Sequence, residues 1–194
     1  QVITLDFETY YSKDYGLGKL TTEEYIRDDR FETIGVAVQV DDGEPVWFSG
    51  TKDKIKAFLD QYRLHEAIVV AHNAMFDMAI LNWHFDIRPK RIVDTLSMAR
   101  ALHSVEVGGS LAALVEYYCL GEKGTEVVNA LGKRRIDFDA ESLARYGEYC
   151  KNDVALTYKL FGILGHNFPL SEFKLIDLTI RMFTEPKLVL DDRV

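Results

Sequence analysis

The run Ala67-Ile68-Val69-Val70-Ala71 carries no polar side chain, and it constrains the fold more than any other stretch. Successive residues of a strand point to opposite sides of a sheet, so this pattern is that of a strand buried on both faces. The segments before it read as strands of a different kind. Val2-Ile3-Thr4-Leu5-Asp6-Phe7 is short, apolar and β-branched, and Thr33 to Val40 repeats that character. Asp41-Asp42-Gly43-Glu44 is turn chemistry, after which Pro45-Val46-Trp47-Phe48 returns as the third strand of a hairpin.

Helical spacing takes over in alternation with strands. Ile55, Phe58, Leu59 and Tyr62 place a helix over Lys52 to Tyr62, and a second helix runs from Met75 to Trp83. Arg91-Ile92-Val93-Asp94 is a fifth short strand, followed by a helix from Thr95 to Leu102. Ser110 caps a helix over Leu111 to Tyr118, and the glycine-rich, charged residues 121–137 read as a long loop. Asp139 is the N-cap of a long helix ending near Leu164, and a last helix from Ser171 to Phe183 is stopped by Pro186. Antiparallel strands first, then alternating helices and strands, give an α/β fold with a mixed five-stranded sheet flanked by helices. No repeat or linker divides the chain, so residues 1–194 read as one domain, with about 165–194 as a connector helix and tail.

At 47% hydrophobic and 28% charged, the composition suits a globular domain with a real core. No apolar stretch is long enough to span a membrane, and the start lacks the charged region and cleavage site of a signal peptide. The chain opens at Gln1 without Met and stops abruptly at Val194, which reads as a piece of a longer protein. Cys119 and Cys150 are too few and too far apart for a disulfide scaffold or a zinc site, and point to a reduced, cytoplasmic setting. A net charge of −8 argues against a simple nucleic-acid binder. Two things would offset it: divalent cations held by clustered carboxylates, which invert the local field, and a concentrated basic strip such as Lys133-Arg134-Arg135.

Three constellations carry chemistry. In Asp6-Phe7-Glu8-Thr9, the period of two puts both carboxylates on one side of the first strand, near its C-terminal end. Ligands of open α/β sheets sit at such ends, and paired hard oxygens suit Mg²⁺ or Mn²⁺. In His72-Asn73-Ala74-Met75-Phe76-Asp77, Asn73 and Asp77 are four apart at the start of a helix, with Asn73 also placed to cap it. In Tyr149-Cys150-Lys151-Asn152-Asp153, a phenol and a carboxylate share one face of the long helix, a turn apart. Each pattern alone has a bland reading as a solvated charge, a cap or a core aromatic.

Together and in this order, the three resemble the motifs of the DnaQ-like (DEDD) superfamily of 3′→5′ exonucleases: Asp-x-Glu, Asn-x₃-Asp with an aromatic before the Asp, and Tyr-x₃-Asp. The resemblance covers roughly residues 2–160. Glu148 stands where a second branch has histidine, so the tyrosine branch fits. Spacing, and the segment Asp177 to Leu188, look most like the proofreading domain of phage-type family A DNA polymerases.

The resemblance implies an RNase H-like fold and two ions, Mg²⁺ or Mn²⁺, held by Asp6, Glu8, Asp77 and Asp153. It implies that Tyr149 orients the attacking water, since a phenol is too weak an acid to serve readily as a base. Asn73, Thr9, Phe7 and Phe76 are the expected substrate contacts, with burial an equal expectation for Phe7 and the commoner one for Phe76. Asp94 matches a recurring acidic position with a supporting role. The implied activity is release of nucleoside 5′-monophosphates from single-stranded DNA 3′ ends, in proofreading or replication, with a polymerase domain or replication proteins as partners. The rival within enzymes is an RNA exonuclease of RNase D type. Outside enzymes it is a silent nucleic-acid-binding or polymerase-docking module. Gly16-Leu17-Gly18-Lys19 lacks the spacing of a P-loop, which argues against a nucleotide hydrolase of that kind.

Overall fold

The strands β1 (Val2–Thr9), β2 (Thr33–Val40), β3 (Val46–Phe48), β4 (Ile68–Ala71) and β5 (Arg91–Asp94) form one sheet in the order β3-β2-β1-β4-β5. The computed structural model describes residues 1–103, 106–121 and 130–187. β1 and β2 pair antiparallel, as do β2 and β3, whereas β4 and β5 run parallel to β1. This is the mixed five-stranded sheet expected from the sequence, and it has helices on both faces. They are α1 (Thr22–Arg27), α2 (Lys52–Asp60), α3 (Ala74–Phe85), α4 (Thr95–His103), α5 (Leu111–Tyr117), α6 (Ala140–Leu164) and α7 (Leu170–Thr184). Among the described residues no helix is long and apolar enough to cross a membrane.

β1 is the central strand, and its alternation positions the site. Ile3, Leu5 and Phe7 are buried, and the Phe7 ring stacks on Phe85 of α3 at 5.9 Å. Asp6 and Glu8 point to the opposite face, where α6 lies, and the thiol of Cys150 on α6 reaches Asp6. Pairing of β1 with β4 runs only from Val2↔Ile68 to Thr4↔Val70, so the second half of β1 overhangs its neighbour. On the other edge the ladder with β2 shifts register between Glu8 and Thr9. Such irregularities re-aim side chains near functional sites.

α6 lies close to the sheet because small residues let it approach. A methyl group at Gly147 would sit 2.4 Å from Trp47 Cδ1, and one at Gly35 would sit 2.3 Å from the far edge of the same ring. Ala37, Cys150 and Val154 complete this contact. α7 packs on α3 and β5, burying Ile176 and Ile180; side chains of that kind stabilise a fold by about 1.5–3 kcal/mol each. The Asp177 carboxylate accepts the Ile92 amide of edge strand β5 at 2.8 Å, and Trp83 Nε1 donates to the Thr184 carbonyl at 2.9 Å. The segment expected as a connector is therefore bonded into the domain as far as Thr184.

Two details depart from the sequence reading. α1 falls in a stretch to which that reading assigned no element, although Thr21 and Glu24 form a complete capping box at its start. Of the expected 121–137 loop, residues 122–129 lie outside the described residues, and Arg135–Asp137 forms a short 3₁₀ turn.

Candidate active site

The carboxylates of the β1 tip are backed by α6. Cys150 is fully buried, and its Sγ donates to the Asp6 carbonyl at 3.4 Å and to Asp6 Oδ2 at 3.5 Å. One turn earlier on α6, Tyr146 is buried with its ring stacked on Phe138 at 5.4 Å. Potential ligand atoms of Asp6, Glu8 and Cys150 all lie within 4.8 Å of one another.

Asp77 comes from the other side of β1. It is 2% exposed, and its Oδ1 accepts the backbone N–H of Phe7 at 3.1 Å. That N–H lies beyond the last residue of β1 that pairs with β4, so a helix side chain replaces a strand as its partner. α3 is aimed there by an unusual start. Asn73 occupies the N-cap with a left-handed backbone, φ 66, and makes no side-chain cap bond. The cap is supplied by Asp94 at the end of β5, whose Oδ1 accepts the Asn73 and Ala74 amides at 2.8 and 3.1 Å. The same carboxylate accepts the Leu96 and Ser97 amides and the Ser97 hydroxyl, so it caps α3 and α4 together. The expectation that Asn73 caps by its side chain is thus corrected: that side chain is exposed and left to face the cleft.

A cleft of about 590 Å³ brings Asp6, Asn73 and Asp153 together with His72, Arg100 and Ser110. His72 ties its walls: Nδ1 meets Thr95 Oγ1 at 2.8 Å and Nε2 meets the Gly109 carbonyl at 2.9 Å. Asp153 is buried on α6, and Tyr149 is half-buried one turn before it.

The electrostatics are those of crowded acids. The Asp77 carboxyl is pushed well above the usual carboxylate range, first by burial and then by the negative charge of Asp6. Burial, then Asp6 and Glu8, push the Cys150 thiol up, and burial followed by Glu8 does the same to the Tyr146 phenol. Both groups therefore stay protonated, and the Cys150 thiol donates to the Asp6 carboxylate beside it.

A family model described as 3'-5' exonuclease matches residues 22–168. The chain belongs to this 3'-5' exonuclease family. No curated protein matches the exonuclease in sequence. Among solved structures it resembles NrnC of Brucella melitensis bound to pGG, with a TM-score of 0.66, 15% identity, and 94% of this chain covering 81% of that one. An NrnC structure with bound Mg²⁺ gives a TM-score of 0.63 at 15% identity over the same shares of the two chains. Trypanosoma brucei RNase D gives 0.71 at 16% identity, with 98% of this chain covering 68% of that one. The fold is the RNase H-like one of these exonucleases. The family match begins after Asp6 and Glu8, yet the fold sets that pair against the residues of the matched span.

The expected substrate contacts of the exonuclease divide. Asn73 lines the cleft. Phe7 does not: its ring is 5% exposed and stacked in the core, because the alternation that sends Asp6 and Glu8 toward α6 sends Phe7 toward α3. Thr9 is buried with its hydroxyl 2.9 Å from that of Tyr25, and Phe76 is half-buried against the same Tyr25 ring at 6.0 Å. Of the basic trio, Arg134 is held by Glu32 at 2.7 Å and lies over the Tyr10 ring at 4.2 Å, and Lys133 lies over Phe138. These cations brace the wall beyond the β1 tip. Sequence reasoning missed Tyr146, Cys150, His72 and Arg100. For the first two a signal existed: Tyr146, Cys150, Asp153 and Thr157 fall at helical spacing on one face of α6.

Proposed function

We propose that the exonuclease is a two-metal enzyme that hydrolyses the terminal phosphodiester at a 3′ end and releases nucleoside 5′-monophosphates. The observation that carries this reading is the approach of acidic residues from three elements to the tip of β1: Asp6 and Glu8 on β1 itself, Asp77 on α3 and Asp153 on α6. The donor set fits hard divalent cations. Burial and then the charge of Asp6 disfavour the ionised Asp77 carboxyl, a like-charge conflict that a cation relieves. Asp6, Glu8, Asp77 and Asp153 would hold Mg²⁺ or Mn²⁺, which when bound acidifies water and neutralises phosphate charge.

The chain's own residues do the remaining work. Tyr149 orients the attacking water through its hydroxyl. Asn73 hydrogen-bonds the terminal nucleotide from the cleft wall, and its position is fixed by Asp94 through the backbone. Asp94 holds this turn without touching substrate.

Two of the structural relatives are an RNase D and NrnC bound to pGG, and they support RNA 3′ ends ahead of DNA. The DNA reading rests on motif spacing and on the likeness to polymerase proofreading domains. A polymerase partner gains no support from the relatives. The test uses 5′-labelled RNA and single-stranded DNA side by side with Mg²⁺ or Mn²⁺, an Asp6→Ala variant and an EDTA control. Ladders shortening from the 3′ end, faster on RNA and lost in both controls, are expected. Faster digestion of DNA would restore the DNA reading. Intact substrates with either metal would overturn the enzyme reading and leave a binding module.

A further inference from the structure

The cleft at the β1 tip does not end at α4. A second groove of about 390 Å³ opens between α4 and α7, and the two share Asn73, Leu96 and Arg100 as lining. Leu96 and Arg100 are one turn apart on α4, so one row of its side chains forms the ridge between the two hollows. Gly109 makes room for that row: a methyl there would sit 2.6 Å from Leu96 Cδ1 and 3.7 Å from Arg100 Nε. The hollows differ in chemistry. Asp6 and Asp153 line the first, whereas Met75, Leu96, Leu175 and Ile176 give the second a largely apolar wall. Among the described residues, His72 and Arg100 are the basic side chains of either lining. Both ring nitrogens of His72 are already bonded. Arg100 is exposed, and among the described residues no carboxylate pairs with it.

We propose that the second groove is a subsite for the third nucleoside from the 3′ end of the substrate strand, and that Arg100 binds the phosphate leading into it. The proposal rests on the reading of the first cleft as the nuclease centre. In that reading the scissile phosphate belongs to the carboxylates of the first cleft. The phosphate at the ridge is then the next one upstream, and the base beyond it is the third. A strand entering a cleft lined by carboxylates, in a chain of net charge −8, needs a cation outside the metal site to hold its phosphates. Arg100 stands on the ridge that both hollows share, and a guanidinium fork matches two phosphate oxygens at once. Beyond the ridge, apolar side chains suit the flat face of a base and read no sequence. Two acids line this groove, Asp94 and Glu172. Asp94 is taken up in capping α3 and α4. The Glu172 carboxylate repels a further phosphate, which limits the groove to one nucleoside.

The experiment measures kcat and KM with Mn²⁺ over a range of salt, for the full chain. The substrates are an RNA pentanucleotide and an RNA dinucleotide without a 5′ phosphate, which ends short of the ridge. The proteins are the native chain, Arg100→Gln, Arg100→Lys and Leu175→Asp. Both positions are exposed, so the substitutions spare the core. The native KM should be lower for the pentanucleotide than for the dinucleotide. Arg100→Gln should raise the pentanucleotide KM about 10-fold or more with kcat near native. It should also make the fall of log(kcat/KM) with log[salt] shallower by about 0.7. Arg100→Lys should regain the native salt slope and part of the affinity, and Leu175→Asp should raise the pentanucleotide KM several-fold. Equal native KM for the two lengths would overturn the inference and leave the enzyme reading standing. So would an Arg100→Gln loss of the same size on both substrates, or an unchanged salt slope. An unchanged KM in Leu175→Asp would overturn it too, and loss of self-association in that variant would give the groove to a second copy of the chain. No cleavage of either substrate by the native chain would overturn the enzyme reading, and this inference with it.

Discussion

Asp77 Oδ1 receives the backbone N–H of Phe7 at 3.1 Å, so a helix carboxylate completes the hydrogen bonding of the central strand where β4 has ended. The same carboxyl is held above its ordinary range, first by burial and then by Asp6. A carboxyl whose folded value is raised stabilises the fold fully below its unfolded value, and that stability is lost as pH rises through the folded value. The metal-free protein should therefore melt progressively lower as pH climbs from the ordinary carboxylate range toward neutrality. Asp77→Asn keeps the acceptor for Phe7 and removes the charge. It should flatten this dependence, raise the neutral-pH melting temperature in EDTA by about 2–4 °C per kcal/mol relieved, and abolish nuclease activity. Melts across pH, with and without Mn²⁺, measure all three.

Among the described residues Asp94 is the most heavily used structural acid, with four backbone amides and one hydroxyl donating to it. Asp94→Ala leaves buried amides at the starts of two helices without partners and should cost at least ~2 kcal/mol. Chemical denaturation should show that loss, and activity should fall with it because the Asn73–Asp77 segment is no longer aimed. Asp94→Asn, which keeps one accepting oxygen, should recover part of both.

Asn73 separates the two jobs of that segment. Its left-handed backbone suits glycine at no steric cost, and its side chain makes no cap bond. Asn73→Gly should leave the melting temperature unchanged or slightly higher while raising KM for an oligonucleotide several-fold. Unchanged kinetics would reduce Asn73 to a turn residue.

The closeness of α6 to the sheet is tested at Gly147. A methyl there meets Trp47 at 2.4 Å, which the rigid indole cannot yield to without shifting the helix. Gly147→Ala should destabilise by about 1–3 kcal/mol and lower activity beyond what the lost stability explains, since Tyr146, Cys150 and Asp153 ride on α6. Adding Trp47→Leu makes room and should restore a measurable share of both.

Much of this site could be read from local spacing. The pairing of Asp6 with Glu8 follows from the period of a strand and that of Tyr149 with Asp153 from the period of a helix, whereas Asn73 stands before α3 with a left-handed backbone and an exposed side chain while Asp77 is buried. The order of strands and helices was enough to give a mixed sheet of five. What local spacing could not supply is which distant partner answers each group. The cap of α3 comes from Asp94, 21 residues away in sequence. Phe7, flanked by two acids, is turned into the core by the helix that covers its face. Tyr146 matched no motif, and only the docking of α6 on the sheet sets its ring between Phe138 and Trp47. Lys133 and Arg134 read as a free basic strip until Phe138, Glu32 and Tyr10 are seen to hold them.

The overhang of β1 past β4 gives the molecule a property of its own. One carboxylate, Asp77, answers both to the main chain of the strand tip and to the proposed cation. Filling the cation site and ordering the strand tip are then linked equilibria, each biasing the other. The Phe7 amide proton stands at that junction, and its exchange with solvent would track occupancy directly. With Asp77 as a ligand of the proposed cation, the exonuclease would carry, in its own backbone, a gauge of its loading that requires neither label nor substrate.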